Sequence, residues 1–328
     1  MAAGKELTFG LIGCGGIMGW HIGNLSKIPG VTVGALADPS EQAIENTKKR
    51  NPALAQATTY SDHREMLRNS RLDAVIIASR HVDHYQQIMD CLNAGCHVLV
   101  EKPFVGSIAH AKATIALAKK KGKTLMVSYQ RHFDPKFRFM RRCVQEGRLG
   151  RLQSITSSLG QGWLEGCRGS WRHDPAAALG GQLNDSGSHV VDIALWISGL
   201  KPVEVYGSIE KCDARVDINS AVTVRLEKNV LWTINICGNT PGFWEYLVLA
   251  GDKGTMAYLN GDVTVNEGGV RMKGEGFGHY HDQTAGFVKA VRGEGPNEVP
   301  GEFGLLVTGL TQSVYRAAAA RKPVRIRL

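Results

Sequence analysis

No apolar run in the chain approaches the roughly 18 residues that a membrane-spanning helix needs, and no C-x-x-C pair, internal repeat or low-complexity tract is present. The first absence excludes a helical span. The apolar stretch near the start is broken by glycines and followed by no cleavage pattern, which argues against a secretory signal. Seven cysteines at 14, 91, 96, 143, 167, 212 and 237 are odd in number and scattered. Such a set suits neither a disulfide framework nor a zinc site and fits a reducing cytoplasm. Basic runs interleaved with stacking aromatics, the footprint of nucleic-acid binding, are missing as well. The expectation is a soluble, unexported cytoplasmic protein with no nucleic acid, membrane or metal as partner.

What is abundant is glycine, 39 of 328 residues, beside an ordinary 43% of hydrophobic residues. Without a Gly-X-Y period, and with that much apolar material, collagen and bulk disorder are excluded. The length predicts two domains. Net charge divides unevenly: residues 1–150 carry 21 Lys+Arg against 12 Asp+Glu, the remainder 18 against 18, so all +9 lies in the first half. The dense clusters there, Lys119–Lys121 with Lys123 and Arg138, Arg141 and Arg142, are expected on solvated helix ends and faces.

Short apolar runs alternate with helical stretches over the first 130 residues: strands at 7–12, 31–38, 58–60, 74–78, 97–101 and 124–128. This is the pattern of βαβ units and a doubly wound parallel sheet of Rossmann type. After about residue 150, consecutive strands meet at tight turns, which predicts an α+β domain with a mainly antiparallel open sheet. Helices are expected near 184–198, 281–292 and 301–321. The predicted domains are 1–130 and 131–328, the C-terminal segment being a candidate to pack back on the first.

Gly13-Cys14-Gly15-Gly16-Ile17-Met18-Gly19 follows the first strand and opens a helix. Gly13 allows the tight turn and Gly15 lets backbone N–H groups approach a pyrophosphate at the helix N-terminus. The third fingerprint position is Met18; either Gly19 next to it relieves the helix–strand contact or the helix packs slightly looser. Asp38, ending the second strand, suits the ribose hydroxyls and disfavours a 2′-phosphate, so NAD is expected in preference to NADP. Lys102 ends the fifth strand at the mouth of the cofactor crevice. Asp185 and His189 are four residues apart and share a face if both are helical. The glycines around them admit a substrate or cofactor. The segment 160–174, with Trp163, Trp171 and Arg172, reads either as a mobile sugar-binding loop, in which rings pack on C–H faces and Arg172 donates hydrogen bonds to hydroxyls or a carboxylate, or as a hydrophobic clamp under a long loop. His279–Tyr280–His281 lacks a convincing carboxylate partner and is expected at a helix entry, not on a metal.

GCGGIMGWH (13–21), AGCHVLVEKPF (94–104), YQRHFDP (129–135), GGQLNDSGSHVVD (180–192) and KPVRI (322–326) occur in that order. Together they resemble the glucose–fructose oxidoreductase/inositol dehydrogenase/MocA family over essentially the whole chain. The resemblance implies an NAD(P)-dependent dehydrogenase of sugars or cyclitols, a homo-oligomer (dimer or tetramer) joined through the C-terminal sheet. It places Lys102, Asp185 and His189 on the family's catalytic positions. Gly13, Gly15, Gly16, Ile17, Met18, Asp38, Ser79, Arg80, His84, Glu101 and Lys102 fall on cofactor contacts. Lys102, Arg131, Trp163, Arg172, Asp185 and His189 are the expected substrate contacts. The chain departs from the family at Ser79–Arg80–His81, where Thr-Pro-Asn is usual, at His132 in place of a second arginine, and at Gln182 in place of a third glycine. Two other classes stay open: a glycosidase that retains NAD and acts by transient oxidation and elimination, and a non-enzymatic cofactor sensor.

Overall fold

The computed structural model describes residues 5–275 and 277–328. The chain forms two compact units: residues up to Gln130 with His281–Gly304, and Arg131–Tyr280 with Leu305–Leu328. The stretch 131–328 is therefore interrupted by a segment that packs within the first unit.

The first unit contains strands β1 (Leu7–Ile12), β2 (Val31–Ala37), β3 (Thr58–Tyr60), β4 (Ala74–Ile77), β5 (His97–Val100) and β6 (Leu125–Val127). They alternate with helices α1 (Gly16–Leu25), α2 (Glu41–Arg50), α3 (His63–Asn69), α4 (His84–Asn93) and α5 (Ile108–Lys121). All six strands are parallel, in the order β3-β2-β1-β4-β5-β6. Every residue of β4 is buried, as expected of a strand covered on both faces. The strand order reverses at β1 and β4, so the ligand crevice of such a sheet lies at their carboxyl ends. Caps set the helix boundaries: Ser40 Oγ accepts from Ala43 N, and Ser107 Oγ from His110 N. Lys119–Lys121 occupy the last turn of α5 before the left-handed Gly122, where cations meet the negative end of the helix dipole.

The second unit opens with α6 (Pro135–Gln145), β7 (Leu152–Gly160), α7 (Trp163–Gly166), α8 (Pro175–Ala178) and α9 (Gly187–Ser198). Strands β8 (Pro202–Glu210), β9 (Asn219–Leu226), β10 (Leu231–Cys237), β11 (Trp244–Gly251), β12 (Gly254–Leu259), β13 (Asp262–Glu267) and β14 (Val270–Lys273) follow. The chain ends with α10 (Gln283–Arg292) in the first unit, α11 (Gly301–Ala320) and β15 (Val324–Arg325). The sheet runs β14-β13-β12-β11-β7-β10-β9-β8-β15 and is antiparallel except where β7 pairs with β10. Along β9 and β10 one face is buried (Val222, Val224, Trp232, Ile234) and the alternate residues face outward. α9 packs on β7 and α6. The expectation of a solvated Arg141 is corrected here. Its guanidinium stacks over Trp196 at 4.6 Å and donates to the Trp196 carbonyl, because α6 turns that side toward α9.

The interrupting segment is fastened by side chains that periodicity does not reveal. Phe287 of α10 meets Phe9 of β1 edge-on at 6.1 Å. Arg292 donates to the carbonyls of Lys5 and Pro29 at 3.1 and 2.7 Å.

Candidate active site

The turn after β1 is built for a close approach. Gly13 has φ +87°, and a Cβ there would lie 2.6 Å from the Ala78 carbonyl oxygen. Gly15, Gly16 and Ile17 are exposed, and a Cβ at either glycine would meet nothing within 4 Å. α1 begins at Gly15 with no side-chain cap and no acidic residue in its first turn. Its leading N–H groups therefore present the positive end of the helix dipole with no capping side chain or acid to offset it, a setting that suits a pyrophosphate. Asp38 closes the other side: Oδ2 accepts from Cys14 N at 2.7 Å and Oδ1 from Ser40 N at 2.8 Å. Ser40, not Asp38, caps α2. A carboxylate has about four acceptor sites, so both oxygens keep capacity for ribose hydroxyls. The residues present thus fit a dinucleotide. Cys14 is inert here, since burial and the nearby Asp38 push its thiol up to about 12.

Two expectations at this turn are corrected. Met18 is fully buried and its N–H is bonded to the Gly15 carbonyl, so it packs α1 onto the sheet and does not face a cofactor. Gly19 relieves no contact, because a Cβ there would meet nothing within 4 Å.

Glu101 and Lys102 follow β5 directly. Glu101 faces the interior, accepting from His21 Nε2 at 2.9 Å, Ser128 Oγ at 2.6 Å and Lys102 N at 3.2 Å. Burial alone would raise its carboxyl, but His21, Ser128 and the Lys102 charge outweigh burial and hold it below the usual range. Gln283 of α10 donates to Ser128 Oγ, and Thr284 meets His21 Nδ1. The Glu101 carboxylate, expected at the cofactor, instead ties α1, β5, β6 and α10 together. His21 belongs to the GCGGIMGWH motif but had no predicted role. Lys102 is half-buried.

His84 is completely buried at the start of α4, with Nδ1 2.9 Å from the Pro103 carbonyl oxygen and Nε2 3.4 Å from that of Ser79. It ties the end of β4 to the Lys102 loop. Ser79 Oγ donates to Gln87 at 2.6 Å, while the exposed Arg80 pairs with Asp83 at 2.9 Å. Burial depresses the His84 pKa despite the carbonyl bonds that favour its proton. The unfolded chain therefore takes up that proton first as pH falls below about 6.5. Stability is full above that value and declines beneath it. Urea unfolding of the wild type and His84→Gln between about pH 7 and pH 5 should show the shallower acid decline in the variant. Parallel declines would remove His84 as a source of the pH dependence.

In the second unit the segment 160–174 carries two short helical pieces, α7 and a turn at Trp171–His173. Leu164 N of α7 donates to the Gly238 carbonyl just past the end of β10 at 2.8 Å. Trp163 is 4% exposed, packs with Leu164, Val216 and Ile218, and stacks on His173 at 5.3 Å. Its ring is therefore closed to a sugar face, and it reaches the site through its indole N–H. That N–H donates to Asp185 Oδ2 at 3.0 Å, and Arg172 Nε donates to the same oxygen at 2.9 Å. Arg172 also stacks over Trp171 at 4.5 Å and is 37% exposed as a side chain.

Asp185 does not share a helical face with His189 as expected. α9 starts at Gly187, whose N–H reaches back to the Gln182 carbonyl in a wide turn, and this leaves Asp185 ahead of the helix. His189 lies half-buried in the first turn. Arg131, an expected substrate contact, is ion-paired with the buried Glu245 of β11. His132 and Asp192 of α9 form a fully buried pair at 2.9 Å. Burial raises the Asp192 pKa against the opposing influence of His132. Neither pairing is visible in the spacing of these residues. Among the described residues no group of three or more His, Cys, Asp or Glu is placed to hold a metal, and no helix is long and apolar enough to cross a membrane.

A bare glycine turn opening α1, with a carboxylate at the end of β2 in a doubly wound sheet, defines a dinucleotide-binding domain; the antiparallel unit that follows completes a two-domain oxidoreductase architecture. Residues 7–129 match the oxidoreductase family with an NAD-binding Rossmann fold, and residues 137–257 match the GFO/IDH/MocA C-terminal domain. The chain belongs to this family and is an NAD-binding oxidoreductase. It is 27% identical over 344 residues to the uncharacterized oxidoreductase YrbE of Bacillus subtilis, covering 98% of this chain and 97% of the relative. It is 26% identical over 347 residues to myo-inositol 2-dehydrogenase of Thermotoga maritima, covering 98% of each. The crystal structure of GenD2 from gentamicin A biosynthesis, in complex with NAD, shares the fold. Its TM-score is 0.87 at 21% identity, over 100% of this chain and 98% of that one.

Proposed function

We propose that the protein oxidises a secondary alcohol of a sugar, sugar derivative or cyclitol. The observation that carries this reading is the Asp185 carboxylate, buried yet fixed by Trp163 and the half-exposed Arg172 immediately before the helix bearing His189. An acceptor and a donor held side by side suit neighbouring hydroxyls of a polyol. NAD, when bound, accepts the hydride of the carbinol carbon. Gly13, Gly15, Gly16 and Asp38 hold it. His189 takes the hydroxyl proton, Lys102 stabilises the developing alkoxide, and Asp185 orients the alcohol. The myo-inositol dehydrogenase among the relatives supports a polyol substrate. A panel of sugars, inositols, sugar acids and aryl glycosides tests the reading, with NADH and aglycone release followed together. NADH formation is the expected signal. Aglycone release without net NADH would replace the proposal by redox-assisted glycoside cleavage, and silence on both channels would overturn it.

Asp38 also supports NAD over NADP. Like charges about 4 Å apart near a protein surface repel by roughly 1–4 kcal/mol, so NADP is expected to bind at least about fivefold more weakly than NAD. Asp38→Ser should narrow the gap. Fluorescence titration with both cofactors checks this, and equal affinities in the wild type would refute it. A cytoplasmic homo-oligomer formed through the second unit's sheet belongs to the same proposal. Tyr206, Leu231 and Tyr246 share its outward face and support it.

A further inference from the structure

We infer that Asp217 and Tyr315 are positioning residues for Asp185, acting through a clamp on the Gly180–Leu183 loop; this rests on the role proposed above for Asp185. Asp217 lies in the connection from β8 to β9 and is 3% exposed. Its Oδ1 accepts from Gly181 N at 2.6 Å and from the Tyr315 hydroxyl of α11 at 2.7 Å. Oδ2 accepts from Leu183 N at 2.8 Å. Its main-chain carbonyl accepts from Gln182 N at 2.9 Å. Among the described residues no lysine, arginine or histidine pairs with it. The loop amides and one phenol are what hold this buried carboxylate. Burial and the Asp217 charge push the Tyr315 pKa well above its ordinary value, so the hydroxyl remains a donor.

The two glycines exist for this grip. A Cβ at Gly181 would lie 2.0 Å from the Asp217 carbonyl oxygen, and one at Gly180, where φ is +145°, would lie 2.4 Å from the Tyr315 hydroxyl. They admit Asp217 and Tyr315, which corrects the reading that they clear space for a ligand. From the gripped residues the loop is tied directly to the site. Asp185 N donates to the Gly181 carbonyl at 2.9 Å, and Gly187 N to that of Gln182 at 2.8 Å. A shift at Gly181 therefore moves both the main chain of Asp185 and the start of α9. Misplacement of a reacting group by about 1 Å costs on the order of 100-fold in rate.

The test uses Tyr315→Phe and Asp217→Asn in the full chain, each alone and combined with Asp185→Asn. The substrate is the panel polyol that turns over fastest. Tyr315→Phe, which keeps both amide bonds, should lower kcat about 3- to 10-fold, and Asp217→Asn about 100-fold. KM for NAD should stay within about twofold, because the cofactor turn belongs to the other unit. Amide hydrogen exchange at Gly181 and Leu183, followed without cofactor, should accelerate in Asp217→Asn. On the Asp185→Asn background each substitution should cost clearly less rate than it does alone, the remainder being the effect carried through the start of α9. Equal losses in both backgrounds would overturn the inference, showing a general effect on the fold. Unchanged kcat in the single variants would overturn it as well. If Asp185→Asn alone keeps the wild-type rate, the role of Asp185 fails and the clamp's function fails with it; that outcome is recognised from this one variant.

Discussion

Replacing His189 by alanine should lower kcat by about 10²–10⁴-fold, the usual contribution of a general base, while leaving NADH binding intact. His189 stands in the first turn of α9, half-buried, with its main-chain N–H donating to the Ser186 carbonyl. The helix behind it is anchored by Val190, Val191, Ile193 and Leu195, all buried, so truncating one half-exposed ring leaves the scaffold standing. Glycine turn and Asp38 lie in the other unit, which is why affinity for NADH should not follow the rate. The losses should appear together in kcat and kcat/KM, the mark of an interaction made only in the transition state. A substrate deuterated at the carbinol carbon sharpens the reading. Once proton removal is crippled, chemistry limits turnover, and the isotope effect on kcat should rise toward that on kcat/KM. Wild-type turnover in the variant would remove His189 from the mechanism.

What was legible in the sequence was local. The apolar strands, the glycine turn and Asp38 are each decided by their neighbours in sequence, and the caps at Ser40 and Ser107 follow from residue type. The pairing partners of the site were not legible, because they come from far along the chain. Ser128 meets Gln283 across 155 residues, His21 meets Thr284 across 263, and Arg131 meets Glu245 across 114. No periodicity reports such contacts. The parallel pairing of β7 with β10 is hidden for the same reason. Alternation identifies two half-buried strands but not their order in the sheet. At Trp163 the composition was informative but left two uses open, a sugar platform and a hydrophobic clamp, and the ring packs as the clamp. An aromatic beside a functional carboxylate does mark the site, but burial turns its ring inward and leaves the N–H as the working group. The i,i+4 argument for Asp185 and His189 failed because Asp217 holds the preceding loop in a wide turn, delaying the helix to Gly187.

Lys102→Met should lower kcat by roughly 10²–10³-fold, as expected when the main group facing a developing oxyanion is removed. The surroundings of Lys102 make this a test of charge and not of folding. Glu101 keeps its bonds to His21 and Ser128, and the loop keeps its tie through His84 to the Pro103 carbonyl. The methionine stem preserves most of the lysine's aliphatic packing. Thermal unfolding should therefore move little while turnover collapses. Lys102→Arg should recover only a small part, since a planar fork does not replace a compact ammonium at a single oxygen. Combining Lys102→Met with His189→Ala carries the argument further. If the proton leaves to His189 as the charge grows opposite Lys102, both residues serve one event, and the double variant should be about as slow as the slower single one. Fully multiplicative losses would assign the two residues to separate steps. A Lys102→Met enzyme within about twofold of wild type would leave the alkoxide without its proposed stabiliser.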